Sequence, residues 1–372
     1  MKHPVLAVCV AASLVCSLDV SAPAAATLAL KAAPAPEVLA DGRVTFRVAA
    51  PKAREVAVTC ECADEPVSMR KDGKGIWSGT IGPIESGFYA YELWIDGAQV
   101  ADPVNQAVKD DAQSAPLSSL LEVPGAGAAL HGRKLAHGTV EVRSYPSRAT
   151  GSTRRLHVYT PPAYKGTASL PVLYLLHGAG DDDSSWTKSG HANLILDTLL
   201  AERKAAPMVV VMPDGYAYPR SEGVPANRQR ADFEKDLLED VVPFVERNYR
   251  VIADRDHRAL IGLSMGGGQA LNIGLHHLDL FSRIAGFSAG ANRVSPGGPF
   301  ADVAADPEHV NRSLKLLWLG CGDEDDLFEP NQALSAFLTS KGITHTFFPS
   351  SGGHSWGNWR KYLAEVAPEL WN

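Results

Sequence analysis

The stretch RALIGLSMGGGQAL, residues 258–271, holds a single hydroxyl, Ser264, among glycines. Gly262-Leu263-Ser264-Met265-Gly266 fits the pattern G-x-S-x-G, with an apolar run before it and the helix-like run GGGQALNIGLHHL after it. In that setting a serine stands on a sharp strand-to-helix turn, and its small neighbours let strand and helix close around it. A hydroxyl is a weak nucleophile by itself. Acyl transfer needs a base beside it, an acid to orient the base, and donors for the negative charge that develops. The competing reading is a capping serine at a glycine-rich helix start, so the rest of the chain must supply partners.

His354, in FFPSSGGHSWGNW, follows the β-rich run HTFFP and a glycine turn and precedes the last helix. It lies downstream of the serine, as the chain order Ser, acid, His requires. His276 and His277 fall inside the helix after Ser264, where a structural role is expected, and His177 reads as a loop-shaping residue. Between serine and histidine, LKLLWLGCGDEDDLF offers a strand, a turn and four carboxylates, Asp323, Glu324, Asp325 and Asp326. Residue type and position do not separate these four. One of them would orient the imidazole and stabilise its charged form. For the oxyanion, Met265 N–H lies at a helix start. The loop LLHGAGDDDSSW carries His177-Gly178-Ala179-Gly180, an HGGG-like run in which Ala179 or Gly180 would donate.

These residues need a scaffold that brings strand ends together. From Gly138 onward, continuous apolar runs (PVLYLLHG, MVVVMPDG, ALIGLS, RIAGFSAG, LKLLWLG) alternate with amphipathic stretches. In DFEKDLLEDVVPFVERNY, Phe233, Leu237, Leu238, Val241, Phe244 and Val245 recur at helical spacing. Strands apolar throughout and separated by helices imply a mainly parallel sheet covered on both faces, with chemistry at the strands' carboxyl ends. Between Pro36 and Val123 the rhythm is short and alternating instead, as in GRVTFRVAAP, EVAVTCEC and GFYAYELWIDG. That pattern predicts an all-β sandwich. The expected division is a leader at 1–26, a sandwich at 33–124, a linker at 125–137 and an α/β domain at 138–372.

The first residues, MKHPVLAVCVAASLVCSLDVSAPAAA, place a lysine before an apolar run and then small residues, the layout of a cleaved export signal. The run is too short to span a bilayer, so no membrane anchor is expected and the protein is expected to be secreted or periplasmic. A net charge of -7 argues against a nucleic-acid partner. No metal-binding spacing occurs, and the acidic runs at Asp181–Asp183 and Asp323–Asp326 read by default as solvated loops. No cofactor is expected. After removal of the leader three cysteines remain, Cys60, Cys62 and Cys321. Cys60 and Cys62 stand two apart in an alternating stretch, a spacing that does not suit a disulfide along one strand.

The motifs HGTVEVRSYPS, RRLHVYTPPAY, PVLYLLHGAGDDDSSW, PMVVVMPDG, HRALIGLSMGG and GGHSWGNW resemble the esterase D-like α/β-hydrolases. Among these they are most similar to the family 1 carbohydrate esterases, the feruloyl and acetyl xylan esterases. The amino-terminal part resembles the early-set immunoglobulin-like domains, related to glycogen-binding modules, that precede some of them. The resemblance implies an α/β-hydrolase fold behind an immunoglobulin-like sandwich. It also implies an aspartate in a G-x-x-D pattern, here Gly322 to Asp325, with Asp323 the second choice, and Ala179 as the second oxyanion donor.

The expected substrate is a feruloyl or acetyl ester of xylan, or a small aromatic ester. Trp186, Tyr216, Tyr218, Trp356 and Trp359 lie near the motifs and could stack on it; Trp186, Tyr218 and Trp356 are the leading candidates. A siderophore esterase of the enterochelin type, and an acyltransferase to a sugar like the mycolyltransferases, would use the same catalytic parts. The sandwich could itself contact glycan through Trp77, Phe88, Tyr89, Tyr91 and Trp94. Alternation requires about half of such a run to face the core instead.

Overall fold

The computed structural model describes residues 36–63, 65–84, 87–105, 108–109, 118–123, 135–162, 164–290 and 298–371. The expected leader and most of the expected linker lie outside the described residues.

From Thr139 the chain builds one eight-stranded sheet: β1 (Thr139–Ser147), β2 (Ser152–Thr160), β3 (Val172–Leu176), β4 (Val209–Pro213), β5 (Arg258–Leu263), β6 (Arg283–Phe287), β7 (Leu316–Gly322) and β8 (Thr346–Ser350). Their order is β1-β2-β4-β3-β5-β6-β7-β8. The pairs β1–β2 and β2–β4 are antiparallel, and all later pairs are parallel. The apolar runs are continuous because both faces of these strands are covered. Val172, Tyr174 and Leu176 of β3 enter one core with Leu260 and Leu271. Leu173 and Leu175 point the other way, into a second core with Ile261, Leu263 and Trp318. Burying each such side chain contributes about 1.5–3 kcal/mol.

The helix expected from DFEKDLLEDVVPFVERNY forms as Ala226–Asp236 and Val242–Asn248, joined by a π turn over Leu237–Val241. Pro243 is the physical reason: it has no N–H for an ordinary helical bond, and the wider turn accommodates it. Phe233, Leu237, Val241, Phe244 and Val245 are all buried along this helical path.

The amino-terminal region consists of two antiparallel sheets. One runs Glu37–Val38, Val44–Ala49, Ile76–Ile81, Arg70–Lys71; the other runs Val67–Ser68, Val56–Cys60, Gly87–Ile95, Ser118–Val123, Val108–Lys109. Val44, Phe46 and Val48 alternate inward from the first sheet and meet Val56, Val58, Tyr91 and Leu93 from the second. Trp77 and Tyr91 of the suggested aromatic platform belong to this shared core.

The cysteine expectation is corrected here: Cys60 and Cys62 form a disulfide, with Cα atoms 4.9 Å apart. The strand ends at Cys60 and the chain turns at Glu61–Cys62, so the two side chains do not project from one extended segment. Cys321 is free and buried.

Candidate active site

Ser264 follows β5 and opens the helix Ser264–His276 with φ at +51°. A side chain in the left-handed region costs of order 1–3 kcal/mol, so the surroundings must enforce it. They do so through backbone contact. A Cβ on Gly262 would stand 2.2 Å from the Gly266 carbonyl oxygen, and one on Gly266 would stand 2.4 Å from that of His177. The motif's glycines let β5, its helix and the loop after β3 touch main chain to main chain.

His354 lies beyond the end of β8 and Asp325 beyond the end of β7. His354 Nε2 is 2.9 Å from Ser264 Oγ. On the other side of the ring, His354 Nδ1 is 2.9 Å from Asp325 Oδ2. With the proton on Nδ1, the imidazole donates to the carboxylate and accepts from the serine hydroxyl. Burial alone would raise the Asp325 pKa, but hydrogen bonds from His354, Ser288 and the Leu327 N–H outweigh it and hold the carboxyl below its usual value. Asp323, Glu324 and Asp326 are exposed, and Asp323 accepts from the Gly352 N–H at 3.2 Å. The structure therefore brings Asp325, of the four carboxylates, to the histidine.

The two partner loops are laced together. Asp323 N–H donates to the Ser350 carbonyl at 2.8 Å and Glu324 N–H to the Gly352 carbonyl at 3.2 Å. The Trp359 ring stands edge-on to His354, with centroids 4.9 Å apart, and its Nε1 donates to Ser288 Oγ at 3.1 Å. Ser288 and Trp359 thus brace Asp325 and His354. Nothing in the sequence marks Ser288 for this, because its partners come from the last helix and from the turn after β7.

Met265 N–H lies in the first helical turn, where amides have no intrahelical acceptor. In the loop after β3, Gly178 N–H donates to Asp181 at 3.3 Å and Gly180 N–H to the Tyr216 hydroxyl at 3.1 Å. Ala179, between them, is exposed, and its amide has no protein acceptor among the described residues. His177 is buried: Nδ1 is 2.8 Å from the Gly178 carbonyl, and Nε2 accepts from the Gly215 N–H at 2.8 Å. It shapes the loop. His277 pairs with Glu234 at 2.8 Å, well outside the Ser264 constellation.

Two of the expected substrate contacts are buried. Trp186 is 1% and Trp356 2% exposed; they meet edge-on at 5.1 Å in the core below the site. Trp186 Nε1 donates to the Leu176 carbonyl at 2.9 Å, so even its polar edge serves the fold. Tyr218 is half-buried, and its hydroxyl donates to Asp232 at 2.8 Å. The acidic run at Asp181–Asp183 is corrected. Asp183 is buried, where it accepts two bonds from Arg155 and faces His157 at 2.9 Å. Among the described residues no group of three or more His, Cys, Asp or Glu side chains could hold a metal ion. No helix among them is long and apolar enough to cross a membrane.

The Esterase family model, described as "Putative esterase", matches residues 147–370. An endo-1,4-beta-xylanase/feruloyl esterase of Xylanibacter ruminicola is 31% identical over 347 residues, covering 90% of this chain and 46% of that protein. The chain therefore spans about half the length of that relative. A solved ferulic acid esterase is 28% identical with a TM-score of 0.54, covering 63% of this chain and 98% of the other. A solved enterobactin esterase from Shigella flexneri has a TM-score of 0.69 at 22% identity, covering 92% of this chain and 96% of its own, a likeness of fold. The chain belongs to the Esterase family, and its α/β region has the chemistry of a carboxylic ester hydrolase.

Proposed function

We propose that the protein is an exported serine esterase that cleaves feruloyl or acetyl esters from xylan-type cell-wall polysaccharide. The observation that carries the chemistry is the continuous line Asp325–His354–Ser264, with 2.9 Å at each step. Ser264 Oγ attacks the ester carbonyl while His354 Nε2 takes its proton. The N–H groups of Met265 and Ala179 hold the oxyanion. The imidazolium, stabilised by ionised Asp325, gives the proton to the departing sugar hydroxyl and leaves an acyl-serine. Water, deprotonated by the same nitrogen, then releases the acid.

The choice of ester rests on the xylanase/feruloyl esterase relative, whose similarity runs over nine-tenths of this chain. The all-β region is read as an early-set immunoglobulin-like sandwich at 33–124 that buttresses the hydrolase, and residues 1–26 as a cleaved leader. One observation favours a second reading, a siderophore esterase: the enterobactin esterase fold covers 92% of the chain, against 63% for the ferulic acid esterase. A substrate panel separates the two. Release of ferulate from methyl ferulate, or of acetate from acetylated xylan, is expected; hydrolysis confined to a catechol trilactone would replace the cell-wall reading. Ser264→Ala is expected to abolish turnover of every ester in the panel, and wild-type-like turnover would remove the serine mechanism.

A further inference from the structure

The loop Asp214–Tyr218, which follows β4, is held from several directions. Arg154, itself buried, donates to the carbonyl of Ala217 at 2.6 Å and of Asp214 at 2.7 Å, and pairs with buried Asp236 at 3.2 Å. Gln269, on the helix that Ser264 opens, donates to the Gly215 carbonyl at 2.9 Å, and Gly215 N–H donates to His177. Tyr216 N–H donates to Asp214 Oδ1 at 2.9 Å. A loop fixed this firmly fixes what it carries, and what it carries toward the β3 loop is the Tyr216 hydroxyl.

That hydroxyl accepts the Gly180 N–H at 3.1 Å. Arg220 lies over the Tyr216 ring, 5.1 Å from its centroid, and reaches the Gly180 carbonyl through a long bond of 3.4 Å. Both polar groups of Gly180 are thus engaged from one side, while Asp181 engages Gly178. Ala179 N–H is left as the loop's donor. A buried amide without an acceptor is unfavourable, so a loop deprived of the Tyr216 oxygen would turn to find another.

We infer that Tyr216 is a positioning residue for the oxyanion site: by accepting the Gly180 N–H, it keeps the Ala179 N–H aimed at the developing oxyanion. The inference rests on the serine-esterase reading above and deepens it. A donor fixed in advance is worth most in the transition state, because no reorganisation is needed when charge develops. The effect of Tyr216 should therefore appear in turnover rather than in substrate affinity.

The test compares Tyr216→Phe with the wild type on 4-nitrophenyl acetate, and measures the affinity of both for an alkylboronic acid that forms a tetrahedral adduct on serine. Complete removal of an oxyanion donor costs about 100- to 1000-fold in kcat; a misaimed donor should cost about 10- to 100-fold. The expected result is that loss in kcat, a KM within about two-fold, a parallel loss of boronate affinity, and unchanged inhibition by acetate. Arg220→Gln, which keeps the hydroxyl but removes the cation above the ring, should move kcat and boronate affinity the same way by a smaller factor. Unchanged kcat in Tyr216→Phe, or a rise in KM alone, would overturn the inference. Ser264→Ala run alongside separates the two readings. If it is inactive while Tyr216→Phe matches wild type, only the positioning role falls; if it is active, the serine mechanism falls with it.

Discussion

Gly322 and Gly352 touch so closely that a Cβ on Gly322 would stand 1.8 Å from the Gly352 carbonyl oxygen. The end of β7, which leads to Asp325, and the loop that leads to His354 are in direct main-chain contact. Gly322→Ala must push these loops apart and stretch the imidazole–carboxylate bond. The expected outcome is a kcat at least about 10-fold lower with a reduced melting temperature. Steady-state kinetics and a thermal melt on the same preparation check it.

Asp325 and Asp323 stand two residues apart but differ in burial and partner. Asp325→Asn should lower kcat by on the order of 10⁴-fold, because the amide favours the wrong imidazole tautomer. Asp323→Asn should stay within a few-fold of wild type, since its exposed carboxylate caps only the Gly352 N–H. Comparable losses in the two variants would reverse the assignment of the acid.

Asp183 predicts a specific acid sensitivity. Burial alone would raise its pKa, but hydrogen bonds from His157 and Arg155 and their charges hold it down at about 2. The unfolded chain, with an ordinary carboxyl near 4, binds the proton more tightly than the fold does. This contribution to stability is therefore complete above about pH 4 and fades as the pH falls toward 2; its size is about 2 kcal/mol. Denaturant midpoints between pH 5 and pH 2.5 should fall less steeply in Asp183→Asn than in wild type. Parallel slopes would show that other carboxylates dominate.

Trp186 should behave as a core residue rather than a substrate contact. Trp186→Phe leaves a cavity and removes the donor to the Leu176 carbonyl, a cost of about 1–3 kcal/mol. Its ratio of feruloyl to acetyl ester hydrolysis should match the wild type. A changed ratio at unchanged stability would return Trp186 to the binding site.

Much of this arrangement was legible in the residues. The strands could be read because burial on two faces leaves little choice but continuous apolar runs, as in β3 and β5. The elbow could be read because only glycine fits at positions 262 and 266. The four carboxylates from Asp323 to Asp326 could not be ranked without the resemblance to known esterases, because burial there depends on which way one turn faces. The burial of Trp186 and Trp356 was not legible for a related reason: nearness to a motif along the chain does not say whether a ring faces solvent or the core. The disulfide was hidden by assuming that the strand continued past Cys60. Tyr216 was noticed only as an aromatic, since the amide it holds is 36 residues away.

The main-chain packing around Ser264 has a consequence for how the protein can vary. Side-chain cores relax when their residues change, and anything mounted on them drifts accordingly. Ser264 is mounted instead on the backbones of β5, its helix and the β3 loop, which meet main chain to main chain at Gly262 and Gly266. Substitutions in the two hydrophobic cores should therefore alter how long the fold survives heat well before they alter where the hydroxyl stands. Ancestral or engineered versions of this chain that exchange interior side chains should keep the Ser264 hydroxyl in its place, provided that Gly262 and Gly266 stay bare.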